Sequence, residues 1–317
     1  MTGWLVFLNT PDSLPLFSTT KRAGDAGWQD GAMTSVSVDA PESLAAPAVV
    51  LTIAGSEATG GAGAQADLKT FQELGVFGIA NLTCIVSFNP KDNWNHRFVP
   101  VDQQVIADQL EATTAAYGRE SGAPSVLETV KIGMLGSPAT ISTVAGALET
   151  GQFRNVVLDP VLICKGQEPG HALDTDQALK AQILPLATFV TPNHFEAESL
   201  SGLEISDVES LKAAAIRIHE LSGAAVLAKG GVRLEGPDAV DVFYDGETLE
   251  VLSAPKVGEV AVSGAGCSLA AAVTAELAKG SSPLEAARTA KAFVTEGIRN
   301  RVASGAPFDA LWQGGAR

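Results

Sequence analysis

Cysteine is scarce in this chain: its 317 residues hold three, Cys84, Cys164 and Cys267. They are odd in number, widely spaced and free of any CxxC pair, which excludes a disulfide framework and fits a reducing cytoplasm. Histidine is nearly as rare, and His96, His171, His194 and His219 lack metal-site spacing, which speaks against a zinc site. No G-x-S-x-G elbow is present to support serine hydrolysis. Cations are outnumbered, 21 Lys and Arg against 36 Asp and Glu. The resulting formal charge of −15 argues against nucleic acid or an anionic membrane as partner. No apolar run reaches transmembrane length. The first twenty residues lack a basic start, and Asn9, Pro11, Asp12 and Ser13 interrupt their apolar stretch, which argues against a signal peptide.

Residues 1–46 are rich in Gly, Ser, Thr, Pro and Asp, show no period, and read as a flexible extension. Met33 offers an alternative start. Residues 47–317 read as one domain. Short continuous apolar runs recur at Val49–Ala54, Ile79–Val86, Thr129–Met134, Asn155–Leu162, Phe189–Thr191 and Ala225–Lys229, as expected of strands covered on both faces. Helical patterns separate them. Ser206-Asp207-Val208-Glu209 and Ser282-Pro283-Leu284-Glu285 read as capping boxes, and Gly75, Gly151, Gly223 and Gly280 stand where helices should end. Val240–Tyr244, Asp245-Gly246 and Leu249–Leu252 read as a hairpin. The expected fold is α/β: a doubly wound, mostly parallel sheet between helices, with ligands bound at the carboxyl ends of the strands.

The most informative chemistry lies late in the chain. Gly264-Ala265-Gly266-Cys267 joins a strand-like stretch to an Ala-rich amphipathic helix, Ser268 to Lys279. Small residues admit a ligand close to the backbone, and the first N–H groups of a helix lack intrahelical partners. The turn therefore suits a phosphate, or the charge that develops in phosphoryl transfer. The helix start is expected to lower the pKa of the Cys267 thiol. A plain tight turn with a packing cysteine is the alternative. Near the other end, Gly61-x-Gly63-x-x-Ala66 meets the loose dinucleotide fingerprint, yet Val86-Ser87-Phe88-Asn89 ends the second strand without the acid a ribose needs.

Asn193 and Glu196 lie on one side of a helical turn, and an amide oxygen plus a carboxylate suits a water-rich Mg²⁺ shell. An ordinary helix start with an acidic first turn is the alternative. Asp159 stands at a strand's carboxyl end, facing a metal or phosphates. Lys229-Gly230-Gly231 sets a lysine beside permissive backbone, for a phosphate or as a solvated turn. Cys164-Lys165-Gly166 opens a polar loop, Gln167 to Thr175, of a kind that covers sites. Asn89–Pro100 reads as a polar loop whose Trp94 and Phe98 stack on a planar ligand or seal a dimer contact.

Together TIAGSEATGGAGAQADLKTF (52–71), KIGML (131–135), LDPVLICKG (158–166), TPNHFEAE (191–198), KGG (229–231) and SGAGCSLAAAVTAELAKG (263–280) resemble the ribokinase-like superfamily. The likeness is to its branch of vitamin B6 kinases and hydroxymethylpyrimidine (phosphate) kinases, and it covers about residues 49–300. It implies a ribokinase-like sheet between helices with a small lid loop, usually a homodimer, using ATP and Mg²⁺. Two features favour a B6 vitamer, pyridoxal above all, as substrate. IVSFNPKDNWNH (85–96) resembles the B6-kinase loop, and Phe88 stands where the pyrimidine kinases offer a glutamine to the ring. Cys267 replaces the usual catalytic Asp, and Cys164 matches a lid cysteine. In that group the first thiol adds to the pyridoxal aldehyde as a hemithioacetal while the second assists proton transfer.

Carried onto this chain, the resemblance makes Cys267, Cys164, Gly264, Ala265 and Gly266 catalytic. It sets Ser56, Gly61, Phe88 and His96 at the ring, Lys229, Gly231 and Asn193 at the nucleotide, and Asp159, Asn193 and Glu196 around Mg²⁺. The chain departs from the pattern at Glu57 (often Asp), Ala64 (typically Ile) and Ser263 (often His or Thr). The rival readings are a hydroxymethylpyrimidine kinase, alone or as second activity, a nucleotide-dependent oxidoreductase, and a non-catalytic ligand-binding protein.

Overall fold

The computed structural model describes residues 46–123, 126–162 and 169–316. In chain order these form β1 (Val49–Glu57), α1 (Gly63–Glu73), β2 (Phe77–Asn89), β3 (Asn95–Pro100), α2 (Gln103–Tyr117), β4 (Thr129–Ile132), α3 (Pro138–Leu148) and β5 (Asn155–Leu158). There follow α4 (Pro169–Gln182), β6 (Phe189–Val190), α5 (His194–Ser201), α6 (Val208–Ser222), β7 (Ala225–Lys229), β8 (Asp238–Tyr244), β9 (Leu249–Pro255), α7 (Ala265–Ala278) and α8 (Pro283–Arg299). The nine strands make one sheet in the order β3-β2-β1-β4-β5-β6-β7-β8-β9. Pairing is parallel from β2 across to β7 and antiparallel at β3, β8 and β9. The expected doubly wound, mostly parallel sheet is therefore present.

Alternate residues of one strand feed two different layers, which is why the apolar runs are continuous. Val49, Leu51 and Ile53 pack with Ile106, Ile141 and Leu179 of α2, α3 and α4 on one face. Val50, Val157 and Phe189 face α1, α7 and α8 on the other. The chain leaves β1 toward β2 and later returns to β4 on β1's other side. That reversal opens a crevice at the carboxyl ends of β1 and β4, where open α/β sheets bind ligands. Among the described residues no helix is long and apolar enough to cross a membrane.

Four local expectations are corrected. Asn89–Pro100 is not a polar loop: β3 pairs antiparallel with β2, Phe88 opposite His96, around a tight turn in which Asn93 and Trp94 take left-handed φ of 47° and 58°. The helix after the glycine turn begins at Ala265 and is not amphipathic, because every residue from Ser268 to Glu276 is buried between sheet and neighbouring helices. The cap of α6 is Asp207 with Ser210, since the Asp207 carboxylate takes the Ser210 N–H at 2.8 Å. The polar stretch expected as a loop to Thr175 is helical from Pro169, a residue pre-set for a first helical position. Residues 1–45 of the expected extension, Met33 among them, and Cys164 of the expected lid lie outside the described residues.

Beneath the N-terminus of α7 sits a buried ion pair. Thr52 and Lys131 are register partners on β1 and β4, and Asp67 descends on them from α1. Lys131 Nζ donates to both Asp67 oxygens at 3.0 and 2.9 Å, and Thr52 Oγ1 donates to Asp67 at 2.6 Å. Burial opposes the ammonium, but the charge and hydrogen bonds of Asp67, with Asp159 behind it, together outweigh burial and hold Lys131 charged. Removing one partner of such a pair strands the other charge, so Asp67→Ala should cost about 3–5 kcal/mol in urea unfolding. The double variant Asp67→Leu with Lys131→Met should recover most of that loss.

Candidate active site

Two glycine-containing turns, one from each end of the chain, meet above the crevice. The first follows β1. The Glu57 carboxylate accepts from the Thr59 N–H (2.7 Å), the Thr59 hydroxyl (2.9 Å), the Gly61 N–H (3.0 Å) and the Ala62 N–H (3.2 Å), stapling the turn from inside. Gln65 bridges the same turn, accepting from the Glu57 N–H and donating to Ser56 Oγ at 2.7 Å. The second turn opens α7. Gly264 is its cap residue at φ 78°, and no side chain caps that helix end. A Cβ on Gly264 would fall 1.7 Å from the Gly61 carbonyl oxygen, so the contact is open to glycine alone.

Gly264, Ala265, Gly266 and Cys267 line a cavity of about 710 Å³ together with Asp159, Asn193, Glu196, Lys229 and Gly231. Its lining is mixed. Val257, Val260, Leu269, Val294 and Ile298 contribute apolar wall, and Asp159, Glu196, Lys229, Arg233, Asp241 and Lys256 contribute charged side chains. Lys229 Nζ lies 3.4 Å from Asp159 Oδ1, and both side chains are largely buried. Burial disfavours the ammonium, yet Asp159 and Glu196 outweigh that and hold Lys229 charged. Glu196 is pushed up to about 7 by burial, with Lys229 pulling the other way.

Asn193 and Glu196 turn out to cap α5 reciprocally: Glu196 N–H donates to Asn193 Oδ1 at 3.0 Å, and Asn193 N–H donates to Glu196 Oε2 at 2.8 Å. Both residues still reach the cavity wall. Among the described residues no group of three or more Asp, Glu, His or Cys is placed to cage a metal. The hard oxygens of Asp159 and Glu196 fit a Mg²⁺ ion that keeps most of its water and takes phosphate oxygens, and not an all-protein cage.

The thiol departs from expectation. Cys267 keeps partial exposure to the cavity, but burial pushes its pKa up to about 11. The Lys131 ammonium pulls it down, Asp159 and Asp67 push it up, and a hydrogen bond from the Gly63 backbone lowers it somewhat. Desolvation thus wins over the helix start, and the resting group is a neutral thiol.

Of the residues expected at the ring, Phe88 and His96 meet on the β2–β3 hairpin, and none of Ser56, Gly61, Phe88 and His96 lines the cavity. β1 ends at Glu57 opposite Val86, while β2 runs on to Asn89, so the β2–β3 hairpin rises past the sheet edge. Its inner side carries Phe88 edge-on to His96, with centroids 4.7 Å apart. At Gly61 an added Cβ would meet Ala310 Cβ at 3.2 Å and Ser263 Oγ at 3.3 Å. Several contributors were not singled out from sequence: the Glu57 staple, the Asp67–Lys131 pair, the apolar lining of the cavity, and the segment around Phe308 and Ala310. Glu57 carried a signal as a departure from the family pattern; the others have none that is local.

Comparison with known proteins agrees with this geometry. The phosphomethylpyrimidine kinase family model matches residues 57–311. A pyridoxine kinase of Bacillus subtilis is 46% identical over 254 residues, 78% of this chain and 89% of its own length. The pyridoxal kinase of Staphylococcus aureus, solved with AMP-PCP and pyridoxal, superposes at TM-score 0.77 and 38% identity, covering 86% of this chain and 95% of that one. A hydroxymethylpyrimidine/phosphomethylpyrimidine kinase of Bacillus subtilis is 36% identical, over 80% of this chain and 90% of its own length. With glycine turns, charged cavity and sheet order all in place, the chain belongs to the phosphomethylpyrimidine kinase family, on the ribokinase-like fold.

Proposed function

We propose that this protein is a pyridoxal kinase, transferring the γ-phosphoryl group of ATP to the 5′-hydroxyl of pyridoxal, with pyridoxine and pyridoxamine as further substrates. The observation that carries the reading is the uncapped α7 start, opening on a cavity lined by both apolar and charged side chains. The adenine ring takes the apolar wall, and the phosphates run toward Lys229, Gly231 and the amides of Gly264 to Cys267. Those amides stabilise the charge of the transferring group, the fixed-dipole effect that dominates phosphoryl transfer. Mg²⁺, held partly through water by Asp159 and Glu196 beside Asn193, supplies charge neutralisation on the phosphates. Ser56, Gly61, Phe88 and His96 place the ring so that its hydroxyl faces those amides. The reading includes a homodimer and a cytoplasmic location, which rest on the family resemblance and on the cysteine pattern.

Cys267 handles the aldehyde. Its sulfur bonds to the carbonyl carbon while the S–H proton passes to the carbonyl oxygen, giving a neutral hemithioacetal. Cys164 is assigned to assist that proton's movement. Phe88 offers no hydrogen bond to a pyrimidine's amino group or ring nitrogen, which favours the B6 reading over hydroxymethylpyrimidine.

Purified protein with Mg-ATP should release ADP with the highest kcat/KM on pyridoxal, and with a lower one on pyridoxine, pyridoxamine and hydroxymethylpyrimidine. No release with any of the four removes the reading. Cys267→Ala should lower kcat/KM on pyridoxal by about 10²-fold or more, with a smaller loss on pyridoxine, which has no aldehyde; equal losses on both would remove the hemithioacetal. In a Cys84→Ser, Cys164→Ser background, alkylation of Cys267 by iodoacetamide should keep rising with pH beyond 9, toward a midpoint near 11. A plateau below pH 8 would mean a lowered thiol pKa instead.

A further inference from the structure

The segment after α8 touches both glycine turns, α7 and the hairpin. Val302 and Ala310 exchange backbone hydrogen bonds at 2.8 and 3.0 Å, and Arg301 pairs with Asp309 at 2.8 Å, so residues 301–310 fold back on themselves. The returning arm is then fastened to the residue before the anion turn. Ser263 N–H donates to the Asp309 carbonyl at 2.9 Å, and Leu311 N–H donates to the Ser263 carbonyl at 3.0 Å. Gln313 Nε2 adds a buried bond to Ser268 Oγ at 3.1 Å, inside α7. Ala310 faces Gly61 of the first glycine turn.

At the tip of this strap stands Phe308, half-buried. Its ring lies 5.3 Å from Phe88 and 6.0 Å from Trp94, the second pair nearly perpendicular. Trp94 in turn meets Phe88 at 6.3 Å, in a turn that takes left-handed backbone to present it. Phe88 is thus held from three sides, by Trp94, His96 and Phe308. Only Phe308 comes from outside the hairpin, and its strap is bonded to the phosphate side of the site.

We propose that Phe308 is a positioning residue for the substrate ring, fixing Phe88 and so setting the distance between the ring wall and the anion turn; this rests on the ring site assigned above. β3 is an edge strand paired with β2, and Phe98 packs on Gly136, but these anchors lie toward the hairpin's base and not at its Asn89–Asn95 turn. An edge hairpin standing past the sheet's end moves unless something outside it holds its tip. The strap supplies that hold, and does so from the element that carries the phosphate-binding amides.

The test is Phe308→Ala, with Phe308→Tyr as the conservative variant and Phe308→Leu should the alanine form fail to fold. We expect KM for the ring substrate to rise by about five- to tenfold, the scale of one lost aromatic pair. KM for ATP should stay within twofold, Tm should stay near that of the parent, and Phe308→Tyr should restore the ring KM. A merely structural role would move both KM values and Tm together, and that result, or an unchanged ring KM in Phe308→Ala, overturns the proposal. The measurement is made on whichever of pyridoxal, pyridoxine or hydroxymethylpyrimidine the parent turns over best, so a wrong substrate assignment leaves it intact. Should the parent turn over none of them, pyridoxal binding by fluorescence titration replaces KM; equal affinity in parent and variant, or no binding by the parent, then counts against Phe308.

Discussion

The site depends on one close approach: the Gly61 carbonyl against the Cα of Gly264. A single methyl group at Gly264 would have to occupy the space of that oxygen, so two turns more than two hundred residues apart are locked in register by the absence of side chains. Everything else is arranged around that contact. Glu57 gathers the amides of the first turn so that Gly61 can present its carbonyl, and Ser263, fixed by the strap, presents Gly264 from the other side. The same strap meets Gly61 through Ala310 and the aromatic hairpin through Phe308. A reaction that joins a planar ring's hydroxyl to a phosphoryl group is favoured by such fixed turns, because the two substrates must meet at one atom in one orientation.

Charge is handled locally. A chain with net −15 would repel a polyanionic nucleotide if its field were uniform, yet the anion turn lies near two lysines that are both held charged by carboxylates. Lys131 is sealed under α7 by Asp67, and Lys229 is shared between Asp159 and Glu196. In a low-dielectric setting such fixed charges act at full strength over short distances and are little screened by salt. Each lysine is matched by one or more carboxylates, so the floor of the site carries no net positive charge. What it offers an incoming phosphate is fixed local dipoles and ammonium groups, which act over a shorter range than the field of the acidic exterior.

What the sequence made legible was whatever is encoded locally. The strand runs, the glycine turns, the Ser282 cap and the strand-end positions of Asp159 and Lys229 each follow from neighbours within a few residues, and each stands in the fold. The α7 helix was misread because its alanines look like a small apolar stripe with polar gaps; Ser268, Thr274 and Glu276 are buried as well, with hydrogen bonds inside the helix or to Gln313, Ser281 and Lys279. β3 was missed because its polar composition suits an edge strand as well as it suits a loop. Asp67 and Lys131 are 64 residues apart, and nothing in either neighbourhood announces the other. Phe308 shares its tail with Trp312 and stands in no periodic pattern, so it is given meaning only by the strap that brings it to Phe88.

The cysteine at position 267 gains a physical reason from its surroundings. Asp159 and Asp67 both raise the cost of a negative charge there, and Lys131, the cation that offsets it, is already committed to Asp67. A carboxylate at this position would be a further anion on that ground, next to incoming phosphates. A thiol with a pKa near 11 adds no charge at rest. Under the proposed reading its addition to an aldehyde adds none either, because the proton that leaves sulfur ends on the carbonyl oxygen. Under that reading the raised pKa is consistent with covalent attachment, because the site's electrostatics then stay set for the phosphoryl group.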